Sequence, residues 1–390
     1  MADCTLHEEA AVSAESSPLL DSLPGAVSAG GIDAPVAGHY GDPLREQRRL
    51  VCSSAAQPVL VDLSHREVLS VSGQDRASWL TTLSSQVFTG QPVGASLEAL
   101  FLSVQGRIEW APHAVIGEDR IWLSVEPGQA EALAAFLESM RFMLRVEVSR
   151  NPEAAVLGSV VEPSALPGID AARLAPCWKD PWPGVVPGGY PYASEEGHPG
   201  AGWSWYETLV QRSALRELGA AGQELGAGWA GVWAAEALRI EAWRPRAGRE
   251  ADERSIPHEL DLLRTAVHLE KGCYKGQETI ARVHNLGHPP RRLVFLDLDG
   301  SEHTLPAAGS KVLAGTRTVG QVTSVGLHHE AGPIALAVIK RTVDPQAALL
   351  IRDESDPSAA VEYAAAQSVV VPPDAGQVRG RRSRGDFLRS

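Results

Sequence analysis

Lys271-Gly272-Cys273-Tyr274-Lys275-Gly276-Gln277-Glu278 puts two lysines, two glycines and a cysteine into one short loop-like segment. Lysine is scarce in this chain. The five are Lys179, Lys271, Lys275, Lys311 and Lys340, so the pairing inside the segment stands out. The glycines permit tight turns or close approach of backbone to a ligand. Flanking ammonium groups, and the positive end of a helix starting near Gly276, favour thiolate over thiol at Cys273. Cys273 therefore reads as a reactive thiol, with Lys271 beside it, or as a buried cysteine in a loop between elements. Gln277 and Glu278, in the first helical turn, cap the helix or hydrogen-bond a ligand.

Working outward, GQETIARVHNLG continues as a helix stopped by Gly287 and Pro289. Upstream, WAGVWAAEALRIEAW (229–243) and WSWYETLVQRSALRELGA (203–220) both read as helices, the latter ended by Gly219. Residues 151–200, dense in Pro and Gly, read as a strand and a long irregular connection. PVLVDLSHREVLSVSG (58–73) alternates as two short strands, and Asp75 offers an N-cap for a following helix. Strands then run through 96–127, and a helix follows Pro127. Downstream of Arg291, RRLVFLDLDG, KVLAGTRTVGQVTSVGLH, PIALAVIKRTV and ALLIRD look like strands separated by turns. They predict a small antiparallel barrel or sandwich over 290–365. Residues 1–44 hold no Lys or Arg and are rich in Ala, Ser, Gly, Pro and acids, so disorder is expected there. Residues 366–390 are expected to be a basic disordered tail, its Arg-rich end read as frayed or as a contact for nucleic acid or acidic surfaces. The expected organisation is thus 1–44 disordered, a mixed region over 45–289, a barrel over 290–365 and a tail.

Composition excludes several classes. With 35 Lys+Arg against 48 Asp+Glu, the formal charge is −13, which argues against bulk nucleic-acid binding. No apolar run approaches the roughly 18 residues of a membrane span. The start, MADCTLHEEA, lacks the basic and apolar regions of a secretory signal, so a cytoplasmic location is expected. Cys4, Cys52, Cys177 and Cys273 are too scattered for a disulfide framework or a zinc nest, and no metal site is expected. Common nucleotide and hydrolase signatures are absent. Few lysines beside much Ala, Arg and Gly suggest a GC-rich bacterial source.

The segment 271–278 resembles the signature of the YgfZ folate-binding family, relatives of the glycine-cleavage T-protein: Lys-Gly-Cys-Tyr, one variable residue, then Gly-Gln-Glu. VDLSHREVLSVSGQDRASWLTTLSSQ, LSVQGRIEWAPHAV, LRIEAWRPR, Ser255–Glu259 and Ala281–His284 extend the resemblance over roughly 58–350. It implies an α+β fold of three subdomains in a ring around a hole that holds a reduced folate, with a C-terminal antiparallel β-barrel. It implies a tetrahydrofolate pocket drawing on Glu241, on Gln277 and Glu278, and on Arg246 and Arg282 for the folate tail. A T-protein carries adjacent aspartates where this chain reads Gln105-Gly106-Arg107-Ile108-Glu109. The resemblance therefore points to an accessory factor for iron–sulfur proteins or their assembly machinery, with an indirect effect on tRNA modification. A tetrahydrofolate-dependent aminomethyl- or methyltransferase is the alternative.

Overall fold

The computed structural model describes residues 16–162, 176–224, 228–356 and 358–378. The Arg-rich end beyond Val378 and Cys4 lie outside them. The two strands read in 58–73 are Val59–Asp62 and Glu67–Ser72, and they part into different sheets. Glu67–Ser72 joins an antiparallel sheet ordered Glu147–Arg150, Glu67–Ser72, Arg120–Val125, His113–Ile116, Ser96–Glu98. Helices Arg76–Leu83 and Ala130–Ser139 cover it with Trp79, Leu80, Leu133 and Leu137. Asp75 does not cap the first of these helices through its side chain. It binds Arg145 instead, at 2.9 and 3.0 Å.

Val59–Asp62 lies in a second sheet, between Ala154–Ser159 and the parallel strand Gly228–Ala230. Tyr206–Gln211 and Cys177–Lys179 complete it. Here the expected helix over 203–220 is corrected. Its first half is the strand Tyr206–Gln211, and only Leu215–Glu224 is helical. Glu207–Val210 are buried along a six-residue ladder with Ala154–Ser159, and that pairing overrides the local helical spacing.

From Arg291 the chain closes a six-stranded antiparallel barrel, as the strand pattern predicts. Val294, Leu296 and Leu298 fill its interior, while Leu293 and Phe295 pack outward on the rest of the molecule. The closing strand is Val361–Val369, which pairs with both Arg291–Leu298 and Leu349–Asp353. No helix among the described residues is long and apolar enough to cross a membrane.

The largest departure from expectation is at the N-terminus. From Ser17 on, the stretch expected to be disordered is ordered. Ser17 caps the helix Pro18–Ser22, Leu19 is fully buried, and Asp42 caps Pro43–Val51 by accepting from Leu44 and Arg45 N–H at 3.1 and 3.0 Å. Leu19, Leu23 and Val36 enter cores built by later strands. Glu46 accepts from Tyr40 N–H and from Gly231 N–H, each at 2.8 Å, and so ties the segment to the start of helix Val232–Glu241. Side chain is impossible at that crossing: a Cβ on Gly231 would sit 2.1 Å from the Gly38 carbonyl oxygen.

Candidate functional site: a charged cavity where the two sheets meet

Helix Val232–Glu241 runs along the junction of the two sheets, with the barrel behind it. It ends through Trp243, whose φ of +58° is sparsely populated for a bulky residue. This left-handed step turns the chain back on itself. Arg239 closes the turn by donating from Nη1 to the Arg244 carbonyl at 2.6 Å. Arg239, Arg244 and Arg246 then face a cavity of about 820 Å³, part of it open to solvent. Glu98, His113 and Glu126 reach it from the first sheet and its edge, and Glu207 from the second. Leu63, Val232, Ala235 and Leu262 supply apolar wall. Trp203 and Trp205 stack on each other beside it, at 5.6 Å and 19°.

The charges form a connected, almost fully buried network. Arg66 donates to Glu126 at 2.8 Å and to Ser124 at 3.1 Å, and lies 3.6 Å from Glu207. His113 contacts Glu207 at 2.9 Å and lies flat on Trp178, with 3.7 Å between ring centres. Arg244 holds Glu98 at 2.8 Å and Asp180 at 3.0 Å. Arg246 meets Glu126, Asp33 and Glu236 at 2.7, 2.8 and 3.2 Å. Burial alone pushes the Glu126 and Glu207 carboxyls up, and their cationic neighbours more than offset it. Arg246 and Arg66 bring Glu126 to about 2; Arg66 and His113 bring Glu207 to about 2. Burial likewise works against the charge on Arg244, and Asp180 and Glu98 raise it well past its ordinary value. One donor of this set stays unmatched: Arg244 Nη1 is buried and has no hydrogen-bond partner among the described residues. An unmatched charged donor on a cavity wall is costly unless an acceptor from outside meets it.

The residues singled out from sequence divide between this cavity and elsewhere. Arg246 lines it, already engaged by three carboxylates. Glu241 does not. It is 49% exposed and faces the His328 ring at 3.3 Å, which holds its carboxyl below the ordinary range. The helix turns 100° per residue, so Glu236 and Arg239 reach the cavity from the same helix while Glu241 falls on its far side. Cys273 is exposed and is not among the cavity's lining residues. Its expected ammonium neighbours are committed elsewhere. Lys271 Nζ donates to the Thr81 and Ser84 carbonyls, and Lys275 pairs with Glu109 at 3.0 Å. Burial pushes the Lys271 amine down to about 8. Gln277 and Glu278 border a separate shallow cleft, with Gln277 Nε2 donating to the Lys271 carbonyl at 3.1 Å. Arg282 is exposed on the same helix. The expectation of one pocket joining Glu241 to the 271–282 segment is therefore corrected.

Sequence reading missed Arg66, Glu98, His113, Glu126, Asp180, Glu207 and Arg244. One signal was present: Arg239, Arg244, Arg246 and Arg249 crowd a single helix exit, and such density inside an otherwise apolar stretch implies buried partners. The partners themselves are isolated acids in separate strands, which no local pattern brings together.

No family model matches the chain. It is 28% identical over 297 residues to the chloroplastic protein At1g60990 of Arabidopsis thaliana, covering 73% of this chain and 65% of that one. It is 32% identical over 233 residues to an aminomethyltransferase of Moorella thermoacetica, covering 57% and 62%. It is 28% identical over 312 residues to an aminomethyltransferase of Symbiobacterium thermophilum, covering 76% and 80%. The chain thus spans slightly under two thirds of the first two relatives. Among solved structures, the glycine cleavage system aminomethyltransferase T from Bartonella henselae superposes with a TM-score of 0.66 at 18% identity, over 89% of this chain and 94% of that one. Its fold is accordingly that of an aminomethyltransferase, mixed α/β with a closed C-terminal barrel. Sequence relatives and fold neighbour agree: the chain is similar in sequence to aminomethyltransferases and shares the fold of one.

Proposed function

We propose that the protein binds a reduced folate in the central cavity and serves as an accessory factor for iron–sulfur proteins. The observation that carries the folate reading is the unmatched Arg244 Nη1 on a wall that also offers carboxylates and stacked indoles. A pterin has an oxo acceptor beside N–H donors on one edge and two broad faces. Arg244 suits the acceptor, Glu207 or Glu126 the donors, and Trp203 and Trp205 an aromatic face. Arg246 would serve the carboxylate tail only by exchanging one of its present partners. When bound, tetrahydrofolate supplies a one-carbon acceptor or carrier. This chain's residues would bind and orient it and keep water from it.

The accessory reading of that bound folate is supported by two features. Glu109, nearest to the place of a T-protein's paired aspartates, is already neutralised by Lys275 at 3.0 Å. Cys273 stands on the exterior, where a partner's cluster or persulfide would meet it without entering the cavity. The transferase alternative is favoured by the relatives, which include aminomethyltransferases. Anaerobic titration with tetrahydrofolate separates the layers. Saturable binding by the wild type and at least tenfold weakening in Arg244→Gln, with Glu241→Ala unchanged, supports the folate site. Wild-type binding that Arg244→Gln leaves intact refutes it. Methylene-tetrahydrofolate formation from an aminomethyl-lipoyl carrier would replace the accessory role by the transferase. Loss of cluster-enzyme activity in cells carrying Cys273→Ser would support the accessory role.

A further inference from the structure

Behind Arg66, on the side away from the central cavity, a second cleft encloses about 690 Å³, part of it open to solvent. Three side chains at least nine-tenths buried line it, and each leaves a polar atom without a hydrogen-bond partner among the described residues: Ser64 Oγ, His65 Nδ1 and Asn151 Oδ1. Buried polar atoms are nearly always satisfied by protein, water or ligand, and three that gather in one cleft mark it as a place where a ligand could supply the missing bonds. Their orientations are fixed by other bonds. His65 Nε2 is held by Asp33 at 2.8 Å, which in the neutral ring leaves Nδ1 a bare acceptor. Asn151 Nδ2 donates to Glu153 at 3.2 Å, so its oxygen is the end left facing the cleft. Ser64 is anchored by its N–H, which donates to Asp62 at 2.9 Å. Asn151 Oδ1 and, in the neutral ring, His65 Nδ1 can only accept, and the Ser64 hydroxyl can accept or donate.

The opposite chemistry lies alongside. Arg212 also lines the cleft, and its hydrogen bonds run to the carbonyl oxygens of Pro152, Ser64 and Ala154 at 2.9, 2.7 and 3.2 Å. Among the described residues no carboxylate lies within ion-pair distance of it, so its charge is uncompensated. Arg150 adds a second cation at the rim, 51% exposed and 3.8 Å from the still more exposed Glu131. The acid on this wall, Glu67, is taken by the Ala130 N–H at 2.8 Å. An oxyanion alone would suit the arginines and set its charge against two acceptors, Asn151 Oδ1 and His65 Nδ1. A cation alone would suit the acceptors and leave Arg212 without a counterion. A zwitterion satisfies both ends. Val68, Pro152 and Ala154 leave room for a small apolar side chain between them.

We propose that this cleft binds a small α-amino acid, its ammonium donating to Ser64, His65 and Asn151 and its carboxylate turned toward Arg212 and Arg150. The test uses the full chain and L-alanine, with propionate and ethylamine as the same molecule lacking either charged end. Binding is followed by calorimetry and ligand-observed NMR at neutral pH. One saturable L-alanine site, with propionate and ethylamine each at least tenfold weaker, is expected. Asn151→Leu should weaken L-alanine tenfold or more. The half-exposed Arg150→Gln, which carries no risk to the fold, should weaken it two- to fivefold. Absence of saturable L-alanine binding overturns the proposal and leaves an ordered-water site. Propionate binding as tight as L-alanine overturns it in favour of an anion site. Unchanged affinity in both variants overturns the placement.

Discussion

Replacing Arg66 by Met tests whether the buried charge network is what holds the central cavity together. Arg66 is 5% exposed and touches Glu126 at 2.8 Å and Glu207 at 3.6 Å. Each of these carboxyls is held at about 2 against an ordinary 4.5. That difference corresponds to about 3 kcal/mol of stability per group at neutral pH. Arg66 is shared between them, and Arg246 and His113 retain part of the effect, so the two figures do not add. Removing one partner from a buried ion pair costs about 3–5 kcal/mol, and we expect about 4 kcal/mol for Arg66→Met at pH 7. The sign with pH follows from the depressed folded values. The stabilisation is complete above 4.5 and is lost as pH falls from there toward 2. Between pH 7 and pH 3.5 the wild type should therefore forfeit about 1 kcal/mol or more per carboxyl, and its advantage over the variant should narrow. Urea unfolding followed by tryptophan fluorescence at both pH values measures the gap. A gap below 1 kcal/mol at pH 7, or one that does not narrow at pH 3.5, would show that the network is not stabilising in this way.

Three further outcomes are expected. Gly158→Ala should lose about 1–3 kcal/mol and weaken any ligand of the central cavity, because its Cβ would lie 2.4 Å from Trp205 Cζ2; an unchanged melting temperature would contradict the packing described. Arg292→Met should leave stability within about 1 kcal/mol of wild type or raise it. Arg292 is fully buried at the barrel end; its Nη2 donates to the Val343 carbonyl and Gln367 Oε1 at 3.2 and 2.9 Å, its Nε and Nη1 have no hydrogen-bond partner among the described residues, and burial lowers its pKa to about 10. A loss comparable to that of Arg66→Met would show an undetected partner. In native protein, Ellman's reagent should label the exposed Cys273 and Cys52 quickly and the partly buried Cys177 only on unfolding; Cys273→Ser should lower the number of fast-reacting thiols by one, and an unchanged number would contradict the exposure of Cys273.

The barrel was legible because its strands carry their own alternation, Val294, Leu296 and Leu298 inward against Leu293 and Phe295 outward. Helices Val232–Glu241 and Gln277–Leu286 were legible from spacing and from Gly287. Tyr206–Gln211 was not, because its strand character comes from partners fifty residues upstream. The N-terminal segment was misread for a related reason. Its lack of basic residues looks like disorder, yet Asp33 and Glu46 find their partners at Arg246, Arg249 and Gly231, two hundred residues away. The cavity was half legible: the arginines are adjacent in sequence, their carboxylates are not.

The segment that drew attention first has a plainer physical explanation than its composition suggests. Lys271 donates to carbonyls at the C-terminal end of helix Arg76–Leu83, the end a cation favours, and lies 4.4 Å over the Tyr274 ring. Tyr274 enters the core beneath it. Gly276 takes φ +85°, and a Cβ there would fall 2.5 Å from the Ser103 carbonyl oxygen, so the loop closes onto the 103–106 turn only through glycine. Lys275 ties down Glu109, and Gln277 closes the loop on the Lys271 carbonyl. Lysines, tyrosine, glycine and glutamine thus act as a clasp that ties the start of helix Gln277–Leu286 to the end of helix Arg76–Leu83 and to the hairpin Phe101–Leu102/Ile108–Trp110. Cys273 alone takes no part in the clasp. Its thiol is exposed and lies outside the lining of the central cavity.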